Sequence, residues 1–315
     1  MGDFVLISCK DKKTGSIADK LSRLFKRTDF NDLIDIIDVY DNVRCYSITL
    51  PCDKKGTPAV NIKKFEKFLD KFNSENNIIS YVVPESLGES IKLEGRFQSE
   101  YARKLVFKSL INIVIDKAFA CEGNGNQSPG VCIAQGDNEV ELYELIRFLS
   151  NTVKFFTVLT PEKNSIEKGI NEIYDECGLS IAVTDDLRSA LKDCSVLINL
   201  GKLNELCISK AYGKNNLVIN LGTISSYKIP DSCRVINGIN IGMPVHIRHM
   251  FSKAVYNSYS ESQIAHILLF QRVEAVRAQR GEMTGSELLG KTEQEFKRAG
   301  LSISSFEGLH GIICF

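Results

Sequence analysis

Residues 131–236 alternate short apolar runs with segments of about ten residues in which apolar positions recur every three or four residues. The apolar runs predict strands at 131–134, 153–159, 179–183, 195–200, 217–221 and 234–236. The segments between them predict helices at 138–149, 166–177, 185–192 and 203–211. Short apolar strands that alternate with helices indicate a parallel sheet covered by helices on both faces.

The first third of the chain predicts a smaller α/β domain. Strands are expected at 4–8, 43–50 and 78–83 and a helix at 60–72, whereas 32–40 fits either a helix or a strand. A single long helix is predicted at 98–120. The Gly/Asn/Ser/Pro-rich run CEGNGNQSPG that follows it indicates a linker between domains.

The last third predicts helices. One is expected at 243–257, and the capping-box pattern from Ser260 to Gln263 opens another that ends at Gly281. Thr284 with Glu287, and Thr292 with Glu295, indicate two shorter helices. The apolar end, LSISSFEGLHGIICF, is expected to complete a sheet or cover a core. The predicted domains are 1–121, 122–242 and a helical segment 243–315 that packs across both.

Composition excludes several classes of partner. Lys plus Arg and Asp plus Glu are equal at 39 each, which argues against nucleic acid or an anionic membrane as partner. No apolar run approaches the roughly 20 residues that span a bilayer, and no signal-peptide pattern opens the chain, so a cytoplasmic protein is expected. The ten Cys are scattered without a C-x-x-C pair, which indicates reduced, buried thiols.

The run DLRSALKDCSVLIN, residues 186–199, is similar to the segment that leads into the fourth strand of two-domain dehydrogenases. The chain also has the order of parts found in such proteins: a small α/β domain, a connecting helix, a Rossmann-like unit and C-terminal helices. On both grounds it resembles the shikimate dehydrogenase-like and methylenetetrahydrofolate dehydrogenase-like group. The resemblance covers 130–240. It implies NAD or NADP as the cofactor and a small-molecule substrate held between the domains.

In that group the pyrophosphate of the cofactor rests on a G-x-G-x-x-G turn, where glycines let backbone N–H groups approach it. The corresponding residues here are AQGDNE, which keep only Gly136 and add Asp137 and Glu139. A carboxylate about 5 Å from a phosphate charge costs about 3 kcal/mol at an effective dielectric near 20. The helix dipole returns only about 0.3–2 kcal/mol. Asp137 or Asn138 is therefore expected to cap its own helix, with Glu141 completing the box.

Ligands of open parallel sheets bind beyond the carboxyl ends of the strands. Candidate cofactor-binding residues are accordingly Gly136, Asp137, Asn138, Thr160, Asn199, Gly201 and Gly222. Thr160 falls near the position that meets the adenosine ribose. Gly201 and Gly222 each follow an Asn-Leu pair, which fits backbone passing close to a ligand or a neighbouring loop, or an ordinary turn glycine with positive φ.

Catalytic residues cannot be assigned from the sequence. Lys92 and Arg96 are the nearest basic candidates, although a solvated loop explains them better. His246 and His249 share a helical face but lack an acidic residue at a matching offset, so no metal site is predicted. Two functions remain open: an oxidoreductase-like protein that binds NAD(P), and a non-redox Rossmann-like protein with a degenerate dinucleotide site that acts as a scaffold or binds another small molecule. The C-terminal helices also allow a homodimer.

Overall fold

The computed structural model describes residues 3–11, 29–40, 43–53, 57–76, 78–88, 91, 93, 96–120, 130–192, 194–204, 217–225, 234–281, 283–309 and 311–313. The strands, in chain order, are β1 (Asp3–Asp11), β2 (Ile34–Tyr40), β3 (Val43–Cys52), β4 (Ile78–Val82), β5 (Val131–Ala134), β6 (Phe156–Leu159), β7 (Ile181–Thr184), β8 (Val196–Asn199), β9 (Lys202–Asn204), β10 (Leu217–Asn220), β11 (Thr223–Ser225), β12 (Arg234–Ile236), β13 (Gly238–Gly242), β14 (Ser302–Glu307) and β15 (Ile312–Ile313). The helices are α1 (Ile62–Asn76), α2 (Ser99–Ser109), α3 (Ile111–Ala120), α4 (Glu139–Leu149), α5 (Lys163–Cys177), α6 (Leu187–Leu191), α7 (Val245–Arg248), α8 (Lys253–Ser258), α9 (Glu261–Arg280) and α10 (Gly285–Arg298).

The chain forms two compact units, each built from several segments. The first comprises Met1–Ala102, Ile241–Gly281 and Ala299–Leu301, and the second Arg103–Asn240, Glu282–Arg298 and Ser302–Phe315. The domain limits predicted at 121/122 and 242/243 stay predictions. The units themselves share the C-terminal helices between them, since α9 belongs to the first unit and α10 to the second.

The first unit is a four-stranded sheet in the order β2-β3-β1-β4, in which β3, β1 and β4 are parallel and β2 is antiparallel. The apolar stripe of α1, with Phe65, Leu69 and Phe72, packs into the core on one face of the sheet. The hydroxyl of Tyr259, between α8 and α9, donates to the carbonyls of Ile7 (2.6 Å) and Val82 (3.3 Å). This bond continues the β1–β4 pairing after their last paired residues, Leu6 and Val82.

The second unit contains a six-stranded sheet in the order β12-β10-β8-β5-β6-β7, and every pair in it is parallel. Numbered along the chain within this unit, the strands read 3-2-1-4-5-6 from the β7 edge, the order of dinucleotide-binding sheets. The predicted α/β class with a Rossmann-like parallel sheet is therefore confirmed. The topological switch point, where ligands of such sheets bind, lies between β5 and β8.

Most predicted elements form, and the exceptions have local causes. The helix predicted at 98–120 is interrupted at Leu110, whose N–H is shared between the carbonyls of Val106 (3.1 Å) and Phe107 (3.2 Å). The helix predicted at 243–257 is split into α7 and α8, since Ser252 takes an extended conformation (ψ 160°) as the N-cap of α8. The ambiguous segment 32–40 becomes strand β2 after a 3₁₀ turn.

The helix expected at 203–211 is contradicted at 203–204, which belong to β9 and pair with β11, and 205–211 lie outside the described residues. The prediction of two short helices at Thr284 and Thr292 was wrong, since they are one helix, α10. Thr284 does form the predicted box with Glu287, whereas Thr292 is buried in mid-helix and its hydroxyl donates to the carbonyl of Leu288. The predicted linker, 121–130, falls almost entirely outside the described residues.

Candidate functional site

The turn between β5 and α4 occupies the position of the pyrophosphate loop. Asn138 has an extended backbone (φ −115°, ψ 105°), and its Oδ1 accepts the N–H of Val140 at 3.0 Å. Asn138 is thus the N-cap, as predicted. Glu141 does not complete a capping box, because its carboxylate accepts a bond from Nζ of Lys108 at 2.9 Å. Asp137 is exposed and has no ion pair among the residues that the structure describes.

This turn differs from the usual dinucleotide-binding turn at the end of α4 that would face a pyrophosphate. Such a phosphate binds the free N–H groups of a helix N-terminus, and the side chain of Asn138 already satisfies that of Val140. The carboxylates of Asp137 and Glu139 add negative charge at the same end of the helix. Glu139 also helps to raise the pKa of Tyr143, after the larger effect of burial. For a phosphate about 5 Å from one of these carboxylates, the repulsion energy exceeds the stabilisation that the helix dipole provides.

The three candidate glycines lie where neighbouring loops touch. A Cβ on Gly136 would lie 2.6 Å from the carbonyl oxygen of Leu200, and one on Gly201 would lie 2.5 Å from that of Gln135. A Cβ on Gly222 would lie 2.2 Å from the carbonyl oxygen of Gly201. None of the three has a positive φ, so the turn-glycine interpretation was wrong. These glycines are required because one loop backbone packs directly against the next at the switch point.

Asparagine side chains form a hydrogen-bonded chain along the carboxyl edge of the sheet. Asn199 is fully buried; its Nδ2 donates to Oδ1 of Asn220 (2.8 Å) and to the carbonyl of Thr223 (3.3 Å). Its Oδ1 accepts the N–H of Gly201 at 3.1 Å, which fixes the orientation of the amide. Nδ2 of Asn220 then donates to Oδ1 of Asn237 at 2.9 Å. The chain ties together the loops after β8, β10 and β12.

The other half of the edge is built from threonines. Thr160 is buried, and its Oγ1 accepts the N–H of Glu162 at 3.0 Å, so its hydroxyl oxygen serves its own turn. Beside it, Nζ of Lys163 lies 2.9 Å from Oδ1 of Asp185. The hydrogen bond from Lys163 lowers the pKa of that carboxyl. Thr160 therefore lies near the predicted edge position, where its oxygen accepts a bond within its own turn, and its O–H donor takes no part in that bond.

The remaining candidates lie apart from this edge. His246 and His249 are exposed in and after α7, and the described residues contain no group of three His, Cys, Asp or Glu placed to hold a metal. Nη1 of Arg96 donates to the carbonyl of Gly88 at 3.0 Å in the first unit. Lys92 lies outside the described residues. Within the described part of the chain, no helix is long and apolar enough to cross a membrane.

Sequence reasoning missed three residues of this edge: Gln135, Asn220 and Asn237. Asn220 had a signal, because Ile-Asn-Leu-Gly occurs twice, at 198–201 and 219–222, and the two copies pair in register as β8 and β10 with the turns that follow. Gln135 and Asn237 had none. The Oε1 atom of Gln135 is buried and has no hydrogen-bond partner among the described residues.

Comparisons with known proteins give structural likeness only. No protein-family model matches the chain, and no curated protein does. Among solved structures, shikimate 5-dehydrogenase from Listeria monocytogenes, in complex with shikimate and NAD, is 12% identical with a TM-score of 0.33, over 91% of this chain and 94% of that one. Quinate dehydrogenase from Corynebacterium glutamicum is 10% identical with a TM-score of 0.31, over 94% and 99%. Ornithine transcarbamoylase from Giardia lamblia is 9% identical with a TM-score of 0.34, over 89% and 87%.

Proposed function

We propose that this chain is a non-redox Rossmann-like protein that binds a small molecule without a pyrophosphate at the carboxyl edge of its parallel sheet. The observation that carries the proposal is the bond from Val140 N–H to Oδ1 of Asn138, which occupies the phosphate-binding end of α4. Removing such a cap costs about 0.5–2 kcal/mol, and the nearby carboxylates add about 3 kcal/mol of repulsion for each phosphate charge that comes within about 5 Å. A dinucleotide would have to overcome both.

The edge instead offers acceptors. Asp137 and Glu139 are carboxylates, and Oε1 of Gln135 is a buried acceptor without a partner among the described residues. A buried acceptor without a donor is costly. A ligand that carries amine or hydroxyl donors therefore suits this turn better than a phosphate does.

A second function, NAD(P)-dependent oxidoreductase, is favoured by one observation, the 3-2-1-4-5-6 strand order of the sheet. Fold alone does not establish chemistry. The two functions make opposite predictions for dinucleotide binding, so a titration separates them.

The test is titration with NADH and NADPH, followed by nicotinamide fluorescence and thermal shift, on the natural protein and three variants. Asp137→Gly removes one charge, and Asp137→Gly with Asn138→Gly also removes the cap. Glu162→Gly is the matched control, because Glu162 is an acidic N-cap without a side-chain cap bond at the neighbouring strand-to-helix turn.

We expect no binding by the natural protein or the control, and binding by the double variant. Micromolar binding by the natural protein would overturn the proposal in favour of the oxidoreductase. With the natural protein, thermal shifts from a polyamine or a polyol but none from inorganic pyrophosphate would support a donor-bearing ligand.

A further inference from the structure

The buried side chains of helix α10 are more polar than those of the neighbouring helix α4. The buried residues of α4 are all apolar: Leu142, Leu145, Ile146, Phe148 and Leu149. The buried residues of α10 are half polar: Leu289, Thr292, Glu295 and Phe296. Burial of apolar surface supplies most of the energy that docks a helix. For its length, α10 therefore has less docking energy from apolar burial than α4 has.

A charged cluster takes the place of apolar packing on α10. Nζ of Lys291 lies 3.0 Å from Oε1 of Glu295, and their side chains are only 9% and 3% exposed. Arg298 makes a second bond to the same carboxylate at 3.2 Å. A buried ion pair roughly breaks even against the loss of hydration, and apolar replacements of similar volume are often more stable. Both ion pairs join residues of α10 to each other, so they support the helix itself and add no printed bond between α10 and α4.

Two further contacts of α10, with α4 and α3, are polar. The carboxylate of Glu144, on α4, accepts the N–H of Gly285 at 3.1 Å. Nδ2 of Asn112, on α3, donates to Glu293 at 3.3 Å. Gly290 is exposed in mid-helix with nothing within 4 Å of a Cβ, and glycine is among the weakest helix formers.

We propose that α10 undocks from α4 as one cooperative segment while the six-stranded sheet stays folded. Local opening of this kind is expected for elements with few buried apolar contacts. Undocking would uncover the surface of α4 that α10 packs against and release Glu144. The undocking itself does not depend on the proposed function. Only an effect on the candidate ligand turn, where α4 begins, would rest on that function.

The experiment is hydrogen–deuterium exchange, read by mass spectrometry, on the full chain. We expect peptides from α10 to exchange at least tenfold faster than peptides from β5 and β8. Lys291→Met combined with Glu295→Leu should slow the exchange of α10 about tenfold, and Gly290→Ala should slow it severalfold. Exchange of α5 should be unchanged in every variant, which makes it the internal reference.

Glu144→Ala gives an independent test, since it removes a contact outside the charged cluster. It should speed the exchange of α10 severalfold and leave α5 unchanged. The proposal is overturned if α10 exchanges at the rate of β5 and β8 in the natural protein. It is also overturned if the apolar pair speeds the exchange of α10, because the ion pair would then be its main support.

Discussion

Replacing Gly222 with alanine tests whether the loops at the switch point touch as closely as the structure indicates. The added Cβ would lie 2.2 Å from the carbonyl oxygen of Gly201 and 2.8 Å from the carbonyl carbon of Leu200. Both are backbone atoms, so no side-chain rotation relieves the overlap, and the loop itself must move. Overpacking of this kind costs about 1–3 kcal/mol. Because φ at Gly222 is not positive, a further torsional cost is not expected.

Part of that cost is offset, since alanine restricts the unfolded chain and thereby stabilises by about 0.4–1 kcal/mol. The net expectation is a loss of about 1–2 kcal/mol, or a fall in Tm of roughly 2–8 °C. Differential scanning calorimetry is the assay, with far-UV circular dichroism to confirm an unchanged fold. Gly290→Ala is the control, because that glycine is exposed and helical, and it should gain about 0.5–1 kcal/mol. A Gly222→Ala protein that melts at or above the natural Tm would refute the close approach.

Three further predictions follow from the hydrogen bonds. Tyr259→Phe leaves the buried carbonyls of Ile7 and Val82 without their donor and should cost about 1–3 kcal/mol, measured by urea unfolding. Asn199→Asp replaces two donated hydrogen bonds by a buried carboxylate that faces acceptor oxygens, and should lower the free energy of unfolding by roughly 3–5 kcal/mol at pH 7. A smaller loss of stability at pH 7 than at pH 4 would contradict this prediction. Arg147 donates hydrogen bonds to the exposed carboxylate of Glu176 (2.7 and 2.9 Å) and thereby lowers the pKa of that carboxyl, so the stabilising effect of the pair is present above the unfolded pKa and disappears as pH falls through the folded pKa. The Tm difference between the natural protein and Glu176→Gln should therefore vanish at low pH.

Periodicity predicted the parallel sheet well, because continuous apolar runs such as Val131–Ala134 are buried on both faces and nothing in their surroundings competes with that pattern. The capping residues Asn138 and Ser260 were also predictable, since a cap depends on three or four consecutive residues. Failures occurred where a single residue redirected the backbone. The break between α7 and α8 lies at the extended Ser252, which no spacing rule contains.

The sequence predicted which residues lie at the edge of the sheet, but it did not predict which atoms they contact there. Gly136, Asn199, Gly201 and Gly222 do come together, because parallel strands bring their carboxyl ends to one edge. What each residue contacts there depends on distances of a few tenths of an ångström between loops that are far apart in sequence. The sequence therefore cannot distinguish a glycine that contacts a ligand from one that contacts Leu200.

The same contacts bear on what glycines at the switch point of a Rossmann-like sheet indicate about its ligand. Glycines at the switch point satisfy two demands in such sheets, backbone approach to a phosphate and backbone approach to the next loop. In this chain, close packing against the next loop accounts for Gly136, Gly201 and Gly222. The side chain of Asn199 also accepts a hydrogen bond from the N–H of Gly201. Loop packing alone accounts for these glycines, so they are compatible with the carboxylates of Asp137, before the N-cap, and Glu139, in the first turn of α4. An acidic turn above a glycine-packed switch point is thus stable as a structure, and its charge directs the search for a ligand toward hydrogen-bond donors.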